Sequence, residues 1–291
     1  MRRRGPPVIA LLTDFGTQDV FVGVVKGVIA RMAPSAQVID LTHEVPPGDI
    51  RTGAFRLWQA LPFLPPHAII LAVVDPGVGT TRPAMAVAVG EVTVVCPDNG
   101  LLTYVLAREE IGQRGRAPAR AFRIDTPAEG SAESSATFHG RDIFAPAAAR
   151  LVLGVRPPDL GPPLDALVRL PLPPLRVTAA PLSIRGEVIV ADRFGNLVSS
   201  IGLLRREGSG LMLQPWIPGA APVALPAIRL AVRVGGGPPI PVMRTFGEVP
   251  PGALLAYVGS DGLLEIAVNG GRAADLLGSP RGAEVVLGSA G

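Results

Sequence analysis

The segment AIILAVVDPGVGTTR, residues 68–82, decides the fold. Its first seven residues are apolar and have the length and composition of a buried strand, and the Gly- and Pro-rich residues after them are typical of a turn. Asp75 therefore stands where a strand ends, and Arg82 follows on the same loop. Because ligands of open α/β sheets bind outside the carboxyl ends of the strands, this acid and this cation are candidates for chemistry. The alternative is a surface turn closed by a salt bridge.

Apolar runs alternate with helical patterns on both sides of this segment. Strands are predicted at residues 8–12, 36–41, 68–74, 84–89 and 92–96, and helices at residues 19–32, 46–61, 100–107 and 144–153. Asp49 or Gly48 marks the start of the second helix. This alternation predicts an α/β domain with a mostly parallel central sheet over residues 1–155. Residues 114–129 are polar and poor in apolar side chains, which favours a mobile insertion.

The pattern changes after Gly154. Residues 156–180 are rich in proline and lack periodicity, which is typical of a linker. Beyond them, short β-like segments are separated by turns rich in Gly and Pro; they lie at residues 186–191, 211–213, 227–234, 254–258, 263–268 and 283–287. These segments predict a smaller all-β, barrel-like domain over residues 181–291.

Composition narrows the class of protein. With 291 residues, 48% hydrophobic and 18% charged, the chain can bury a sizeable core. The net charge is only +3, lysine occurs once, and no basic stripe is present, so we expect no nucleic-acid partner. No stretch has the roughly 18 apolar residues of a membrane span, and the apolar run after Met1–Arg4 is too short for a signal peptide. Cys96 lies alone in an apolar strand, which favours a buried thiol. We expect a soluble, cytoplasmic protein without membrane partners.

Further polar residues follow predicted strands. Asp14 and Asp19 lie in TDFGTQD, residues 13–19, after the first strand. A carboxylate in this place can accept the hydroxyls of a ribose, which favours a ligand role for Asp14. Asp19 is equally suited to cap the following helix. The sequence PDNG, residues 97–100, favours a simple turn.

Among the three histidines, His139 is the candidate for chemistry. It stands between a turn and a helix start, and Gly140 allows close approach of the backbone; a structural histidine is the alternative. His67 follows two prolines and is expected in an exposed loop, whereas His43 follows a strand and has no predicted role. No pair of histidines has the spacing of zinc ligands, so no metal site is expected.

A polar turn in the second half, ADRFGN at residues 191–196, has two interpretations. Its aspartate, aromatic ring and asparagine can offer hydrogen bonds and a stacking face to a heterocycle. The same residue types also form tight β-turns.

Six motifs occur in a fixed order between residues 9 and 269, namely LLTDFGTQD, VVDPGVGTTR, PDNGLLT, TFHGRDIFAP, ADRFGN and GSDGLLEIAVN. Together they resemble the S-adenosylmethionine hydroxide adenosyltransferases, relatives of the S-adenosylmethionine-dependent fluorinase and chlorinase. The resemblance implies an N-terminal α/β domain and a C-terminal barrel-like domain. It also implies a homotrimer whose ligand lies between the N-terminal domain of one subunit and the C-terminal domain of its neighbour. The implied reaction converts S-adenosylmethionine to adenosine and L-methionine without a cofactor.

The resemblance also assigns roles to residues of this chain. The family's catalytic residues map onto Asp75, Arg82 and His139. Its substrate-binding positions map onto Asp14 for the ribose, Asp19 and Asp192 for the methionine end, Phe194, Asn196 and Phe246 for the adenine side, and Ser260 near the methionine carboxylate. In the implied mechanism, Asp75 and His139 orient a water opposite the carbon–sulfur bond, and Arg82 keeps Asp75 ionised. The sequence leaves open which of Asp75 and His139 takes the proton.

The chain departs from the halogenating relatives at three positions. They carry tyrosine where Asp75 stands, serine where Gly140 stands and arginine where Asp261 stands. An anionic Asp75 repels a halide and accepts a hydrogen bond from water, so hydrolysis is favoured over halide addition. A non-catalytic sensor of S-adenosylmethionine or adenosine is the other alternative, and the complete set of Asp75, Arg82 and His139 argues against it.

Overall fold

The chain divides into two compact units, Met1–Leu170 and Pro171–Gly291. The computed structural model describes residues 6–112, 118–125, 135–208, 210–218, 220–225, 229–278 and 281–289. The division between the units falls inside the segment predicted as a linker, residues 156–180, and the early part of that segment supplies a short strand to the first unit. The extent of the linker stays a prediction.

The first unit has helices and strands in alternation, as predicted for an α/β domain. Its strands are β1 (Val8–Thr13), β2 (Gln37–Thr42), β3 (Ile69–Val73), β4 (Ala84–Val89), β5 (Val92–Pro97), β6 (Arg120–Arg123) and β7 (Pro163–Leu164). Its helices are α1 (Phe21–Met32), α2 (Ile50–Ala60), α3 (Thr103–Gly112) and α4 (Ala145–Val152), with 3₁₀ turns at Leu61–Phe63 and Pro157–Asp159 and a π-helical turn at Gly140–Phe144. The α/β fold class is confirmed.

The sheet of the first unit is mixed, in the order β2-β1-β3-β5-β4-β6-β7. Strands β2, β1, β3 and β5 pair in parallel, and β4, β6 and β7 pair antiparallel. Strand β1 lies between β2 and β3, so the chain places its next two parallel strands on opposite sides of β1. The edge where β1 and β3 end side by side, at the pair Thr13 and Val73, is therefore a topological switch point, the place where α/β sheets bind ligands.

The central strands are buried on both faces, which explains their continuous apolar sequence. Every residue of β3 is buried, and β1 is buried from Ile9 to Thr13. Helices α1 and α4 pack on one face, where Val25 and Ile29 belong to the same core as Leu11 and Leu71. Elsewhere α2 and α3 pack together through the rings of Phe55 and Tyr104, whose centroids are 6.4 Å apart in an edge-on contact. The rigid sheet thus fixes the ends of β1 and β3.

Helix starts follow local chemistry in one case and not in another. Asp49 caps α2, since its Oδ1 accepts the backbone N–H of Thr52 at 3.1 Å and its Oδ2 accepts the Thr52 hydroxyl at 2.7 Å. The predicted start of α2 is confirmed. Asp19 does not cap α1, because the cap position is Val20 and no side chain bonds there.

The expected insertion at residues 114–129 is wrong for its central part. Arg120–Arg123 form β6, which pairs with β4 on one side and β7 on the other. Ala121 and Phe122 are buried there, because the antiparallel edge of the sheet needs a partner for β4. Residues 114–117 and 126–129 lie outside the described residues.

The second unit is built almost wholly of strands. They are β8 (Arg176–Ala179), β9 (Leu182–Ala191), β10 (Leu197–Ser199), β11 (Leu204–Glu207), β12 (Gly210–Leu213), β13 (Val223–Leu225), β14 (Leu230–Val234), β15 (Ile240–Pro241), β16 (Leu254–Val258), β17 (Leu264–Val268) and β18 (Glu284–Ser289). A 3₁₀ turn at Phe246–Glu248 and a short helix α5 (Ala273–Leu276) complete the described elements.

The main sheet of the second unit curls into a nearly closed barrel, as predicted. Its order is β15-β14-β18-β9-β10-β17-β16, with β8 added to β9, and β11-β12-β13 form a separate small sheet. The two ends of the main sheet meet where Val242 bridges Ala256, and Met243 donates its N–H to the Ala256 carbonyl at 2.8 Å. Across both units, none of the described helices has the length and apolar character needed to cross a membrane.

Candidate active site

A small cavity of about 70 Å³ lies at the switch point of the first unit. Asp14, directly after β1, and Asp75, two residues after β3, line it together with His139. Phe15 and Phe138 supply aromatic walls. Three residues predicted from separate motifs therefore share one cavity, although 125 residues of sequence separate Asp14 from His139.

Asp75 and Arg82 form a buried ion pair beside this cavity. Nε of Arg82 donates to Oδ1 of Asp75 at 2.8 Å, and its Nη2 donates to Oδ2. The side chains are only 4% and 10% exposed, respectively, and the guanidinium lies 5.3 Å from the centre of the Phe144 ring. The salt bridge considered from the sequence is thus present, but it is a desolvated, bidentate pair rather than a surface contact.

Arg82 also determines which face His139 shows to the cavity. Its Nη2 lies 2.9 Å from Nδ1 of His139. A guanidinium can only donate, so Nδ1 accepts and the neutral ring carries its proton on Nε2. Burial, followed by the charge of Arg82, lowers the pKa of His139 below its ordinary value, and Asp75 and Asp142 oppose this only in part. His139 is therefore a neutral ring with an N–H donor at Nε2.

Asp14 is fixed from the opposite side. Its Oδ2 accepts the backbone N–H of Gly48 at 2.8 Å. Burial raises the pKa of Asp14, and the nearby charge of Asp75 adds to this, while backbone hydrogen bonds from Gly48 and Asp14 itself lower it. Two carboxylates thus face one cavity, and within the described residues Asp75 is the one of the two that is bonded to a cation.

Two glycines allow the loops to meet. Gly79 has φ of +80°, and a Cβ there would lie 2.7 Å from the carbonyl oxygen of Ala136, so only glycine lets the Asp75–Arg82 loop approach the segment before His139. A Cβ on Gly140 would lie 3.2 Å from the rings of both Phe15 and Phe138. A side chain at Gly140 must therefore displace the aromatic wall.

Two supports of the site are not indicated by the local sequence pattern. Asn99 forms the predicted turn through its Oδ1, which accepts the N–H of Leu101 at 3.2 Å, but its Nδ2 also donates to the carbonyl of Val74 at 2.9 Å. This bond anchors the peptide just before Asp75. The π-helical turn Gly140–Phe144 follows His139 directly, and such turns are frequent at functional sites.

The other candidate residues of the first unit do not line the cavity. Asp19 is exposed in the loop that leads to α1, and its role stays a prediction. His67 is exposed and Cys96 is buried, as predicted. His43 is 5% exposed and bonded to Thr13, which the sequence did not indicate.

In the second unit, Asp192 and Asn196 form a closed turn. Asp192 accepts the backbone N–H of Asn196 at 2.8 Å and its side-chain Nδ2 at 2.9 Å. Gly195 has φ of +85°, as a tight turn requires, and the ring of Phe194 is 75% exposed at its tip. The geometry is thus that of the tight turn, and the binding roles of Asp192, Phe194 and Asn196 stay predictions.

Phe246 and Ser260 lie on other loops of the second unit. The ring of Phe246 lies 5.1 Å from that of Tyr257, whose hydroxyl donates to Glu265. Burial and this bond raise the pKa of Tyr257. Ser260 is exposed in the turn between β16 and β17. The sequence did not single out Tyr257 or Glu265, which occupy ordinary strand positions.

Two family descriptions match this chain. Residues 9–161 match the SAM hydroxide adenosyltransferase N-terminal domain, and residues 186–286 match the C-terminal domain of the same name. The chain belongs to the SAM hydroxide adenosyltransferase family.

Three named relatives match nearly the whole chain. An (R)-S-adenosyl-L-methionine hydrolase of Thermus thermophilus is 46% identical over 96% of this chain and 98% of its own length. One from Salinispora tropica is 47% identical over 94% of each chain. A fluorinase of an Actinoplanes species is 26% identical over 92% of this chain and 93% of its own.

Two crystal structures have the same fold as this chain. A conserved protein from Thermotoga maritima superimposes with a TM-score of 0.78 at 35% identity, covering 96% of this chain and 99% of that one. A conserved hypothetical protein from Thermus thermophilus superimposes with a TM-score of 0.70 at 42% identity, covering 97% and 99%.

The structure brings Asp75, Arg82 and His139, which were predicted from separate motifs, together at one cavity of the first unit. In the part of the chain that the structure describes, no three His, Cys, Asp or Glu side chains are grouped as metal ligands. The chemistry available at the cavity is that of a carboxylate acceptor, an imidazole N–H donor and a bound guanidinium.

Proposed function

We propose that this protein hydrolyses S-adenosyl-L-methionine to adenosine and L-methionine. The observation that carries the proposal is the hydrogen-bonded Asp75–Arg82–His139 cluster at the switch-point cavity. The 46% identity to the Thermus thermophilus (R)-S-adenosyl-L-methionine hydrolase supports the choice of reaction.

The proposed step is an in-line displacement at the ribose 5′ carbon. A water oxygen forms a bond to this carbon while the carbon–sulfur bond breaks, and the electron pair of that bond goes to sulfur. Because sulfur leaves as a neutral thioether, the leaving group needs no proton. The enzyme must instead hold the water opposite the sulfur, and positioning of this kind is worth up to roughly 7–11 kcal/mol in favourable cases.

Asp75 is the proposed acceptor for the water. Arg82 binds both of its carboxylate oxygens and so fixes the orientation of the carboxylate. Each oxygen has a further lone pair, so the carboxylate can still accept a hydrogen bond from water and then its proton. His139 cannot take this role in the same state, since its Nδ1 is occupied by Arg82 and its Nε2 bears hydrogen. We therefore assign His139 the role of donor to the attacking oxygen.

The remaining substrate contacts are proposed from family resemblance. Asp14 would accept the ribose hydroxyls, since its carboxylate lines the cavity with one oxygen held by Gly48. Asp19 and Asp192 would bind the ammonium of the methionine end, and Phe194, Asn196, Phe246 and Ser260 would line the adenine and carboxylate ends. The active form would be a cytoplasmic homotrimer with its sites at subunit interfaces, and the proposed reaction uses no cofactor.

Isotope labelling tests the reaction. The protein is incubated with S-adenosyl-L-methionine in ¹⁸O-water, and adenosine and methionine are separated by chromatography. We expect equal amounts of both, with the label in the 5′ hydroxyl of adenosine. Formation of 5′-chloro- or 5′-fluoro-5′-deoxyadenosine when halide is added would identify a halogenase instead. Calorimetric binding of substrate without any adenosine would identify a sensor.

A further inference from the structure

A line of four polar side chains leads to the peptide after Asp14, and the proposed chemistry does not use it. The Thr13 hydroxyl oxygen lies 2.8 Å from Nδ1 of His43, and both residues are buried. The other ring nitrogen of His43 lies 3.1 Å from Oδ1 of Asp40. Oδ2 of Asp40 accepts a hydrogen bond from Nζ of Lys26 at 2.6 Å. We call these four residues the Thr13–Lys26 relay.

The chemistry of the relay fixes the direction of its hydrogen bonds. Burial opposes the charge of Asp40, but hydrogen bonds from Lys26 and His43 outweigh it, so the pKa of Asp40 is lowered and the carboxylate stays ionised. Nε2 of His43 is buried and has no well-aligned hydrogen bond among the described residues, but it lies 3.1 Å from Oδ1 of the ionised Asp40 carboxylate. Nε2 therefore carries the proton, and Nδ1 accepts from the Thr13 hydroxyl.

The relay ends on the backbone of the loop that carries Asp14. The oxygen of Thr13 accepts the N–H of Phe15 at 3.2 Å, so the peptide between Asp14 and Phe15 is the last member. The next residue, Gly16, donates its N–H to the carbonyl of His43 at 2.8 Å. His43 thus holds the loop by its ring and by its backbone.

The segment that follows His43 also holds the Asp14 carboxylate. Gly48, five residues after His43, donates to Oδ2 of Asp14, and Thr17 donates to Glu44 at 3.0 Å. Asp14 therefore lies between two anchored points, one at its peptide and one at its side chain. A substitution of His43 would therefore move the peptide between Asp14 and Phe15, although His43 itself does not line the cavity.

Burying the polar side chains of Thr13 and His43 is a costly way to fill space. Well-packed apolar residues of similar volume often stabilise a fold as well or better, whereas hydrogen bonds are directional and favour a single geometry. The relay stands directly behind the end of β1, where geometry matters for a ligand. We infer that His43 is a positioning residue that sets the Asp14 carboxylate for the ribose before substrate binds. The inference rests on the proposed ribose role of Asp14.

Substitutions of Thr13 test the inference with a matched pair. Thr13→Val keeps the shape and removes the hydroxyl, and Thr13→Ser keeps the hydroxyl. Loss of the donor to His43 and the acceptor for Phe15 should raise KM for S-adenosyl-L-methionine and the calorimetric Kd for adenosine about tenfold, with kcat changed less than about twofold. Thr13→Ser should stay within about twofold of the parent. Equal KM values for the two variants, or a loss of kcat at unchanged KM, would overturn the inference.

An outer variant serves if Thr13→Val does not fold. Asp40→Leu removes the acceptor of His43 at a side chain that is 43% exposed, and should raise KM about threefold. The matched control is Asp159→Leu, another half-exposed aspartate in an ion pair of the same unit, which should leave KM unchanged. The same KM in both variants would contradict the relay.

A spectroscopic measurement is independent of activity. The chain has three histidines, so the imidazole ¹⁵N signals can be assigned by single substitutions. We expect His43 with hydrogen on Nε2 and a bare Nδ1, and the opposite tautomer would refute the relay. If the parent protein makes no adenosine, the proposed function fails, whereas the ¹⁵N signals and the effect of Thr13→Val on adenosine binding still decide the relay.

Discussion

The cavity of the first unit and the Asp192–Asn196 turn of the second use the same residue types in opposite ways. At the cavity, hydrogen-bonded partners are far apart in sequence, 57 residues for Arg82 and His139 and 34 for Asp14 and Gly48. In the turn, Asp192 bonds a residue four positions away. Long-range topology builds the first group, and local chain chemistry builds the second.

The two sites also differ in which partners hold their polar side chains. The Asp192 carboxylate uses both oxygens on Asn196, so the turn is closed on itself. At the cavity, the arginine fixes Asp75 and one nitrogen of His139 and leaves the opposite ring nitrogen toward a ligand. The groups at the cavity are thus held by distant partners and face a common space, whereas the Asp192 carboxylate is held by its own turn.

The largest expected effect comes from breaking the cavity cluster at Asp75. Asp75→Asn removes the charge that accepts from water and leaves Arg82 without its counter-ion, so kcat/KM should fall about 10²–10⁴-fold. Steady-state adenosine formation measures this. Asp98→Asn is the control, because this buried aspartate accepts the N–H of Val168 through Oδ1 and the amide keeps an acceptor oxygen. A fall of similar size in the control would contradict a special role for Asp75.

The next effect separates a donor role of His139 from a base role. His139→Gln can accept from Arg82 through its amide oxygen and donate through its amide nitrogen, so it should keep about tenfold more kcat/KM than His139→Ala. If His139 were the base, both variants would lose activity alike.

The same histidine predicts a pH dependence. The pKa of His139 is lowered, so the proton binds only below the ordinary value of about 6.5, and kcat/KM should fall as the pH drops through that lower pKa. Protonation puts hydrogen on Nδ1 and breaks the bond from Arg82. A pH–rate profile should lose this acid limb in His139→Gln and keep it in His67→Gln. An acid limb that persists in His139→Gln would assign it to another group.

A smaller effect is expected at the aromatic wall. Gly140→Ser places an atom 3.2 Å from Phe15 and Phe138, so the rings must shift, and kcat/KM should fall about tenfold. Gly27→Ser is the control, since a Cβ there meets no atom within 4 Å. Unchanged kinetics in Gly140→Ser would show that the wall yields freely.

The smallest effect tests the closed turn. Asp192→Asn keeps an acceptor for the backbone N–H of Asn196 but loses the charge, so KM should rise about tenfold with kcat unchanged if Asp192 binds the ammonium of the substrate. Asp275→Asn, an exposed aspartate paired with Arg272, is the control. A lower Tm without any change in KM would make Asp192 a turn residue alone.

The sequence predicted the strands that carry the site, because Ala68–Val74 and Val8–Leu12 are buried apolar runs whose ends are marked by polar residues. It did not predict β6, whose four residues have no strong pattern and depend on β4 for pairing. Asp19 looked like a helix cap, but α1 begins after Val20 without one. In each miss, contacts with distant parts of the chain outweigh the local signal.

The same reason explains the supports of the site. Asn99 is correctly predicted as a turn residue, but its hydrogen bond to the carbonyl of Val74 spans 25 residues. His43 had no predicted role, because its partner Thr13 is 30 residues away and on another strand. The local sequence patterns and the family resemblance both single out Asp75, Arg82 and His139, whereas the residues that hold them come together only in the fold.

Lys26 is the single lysine of the chain, and it stands at the outer end of the Thr13–Lys26 relay with 38% of its side chain exposed. Reductive methylation with ¹³C-formaldehyde keeps the charge of a lysine, so the ion pair with Asp40 survives the label. A protein of 291 residues then shows one side-chain methyl resonance besides that of the amino terminus. If adenosine is titrated while this resonance is followed, a shift reports that binding at Asp14 changes the environment of the Lys26 amine.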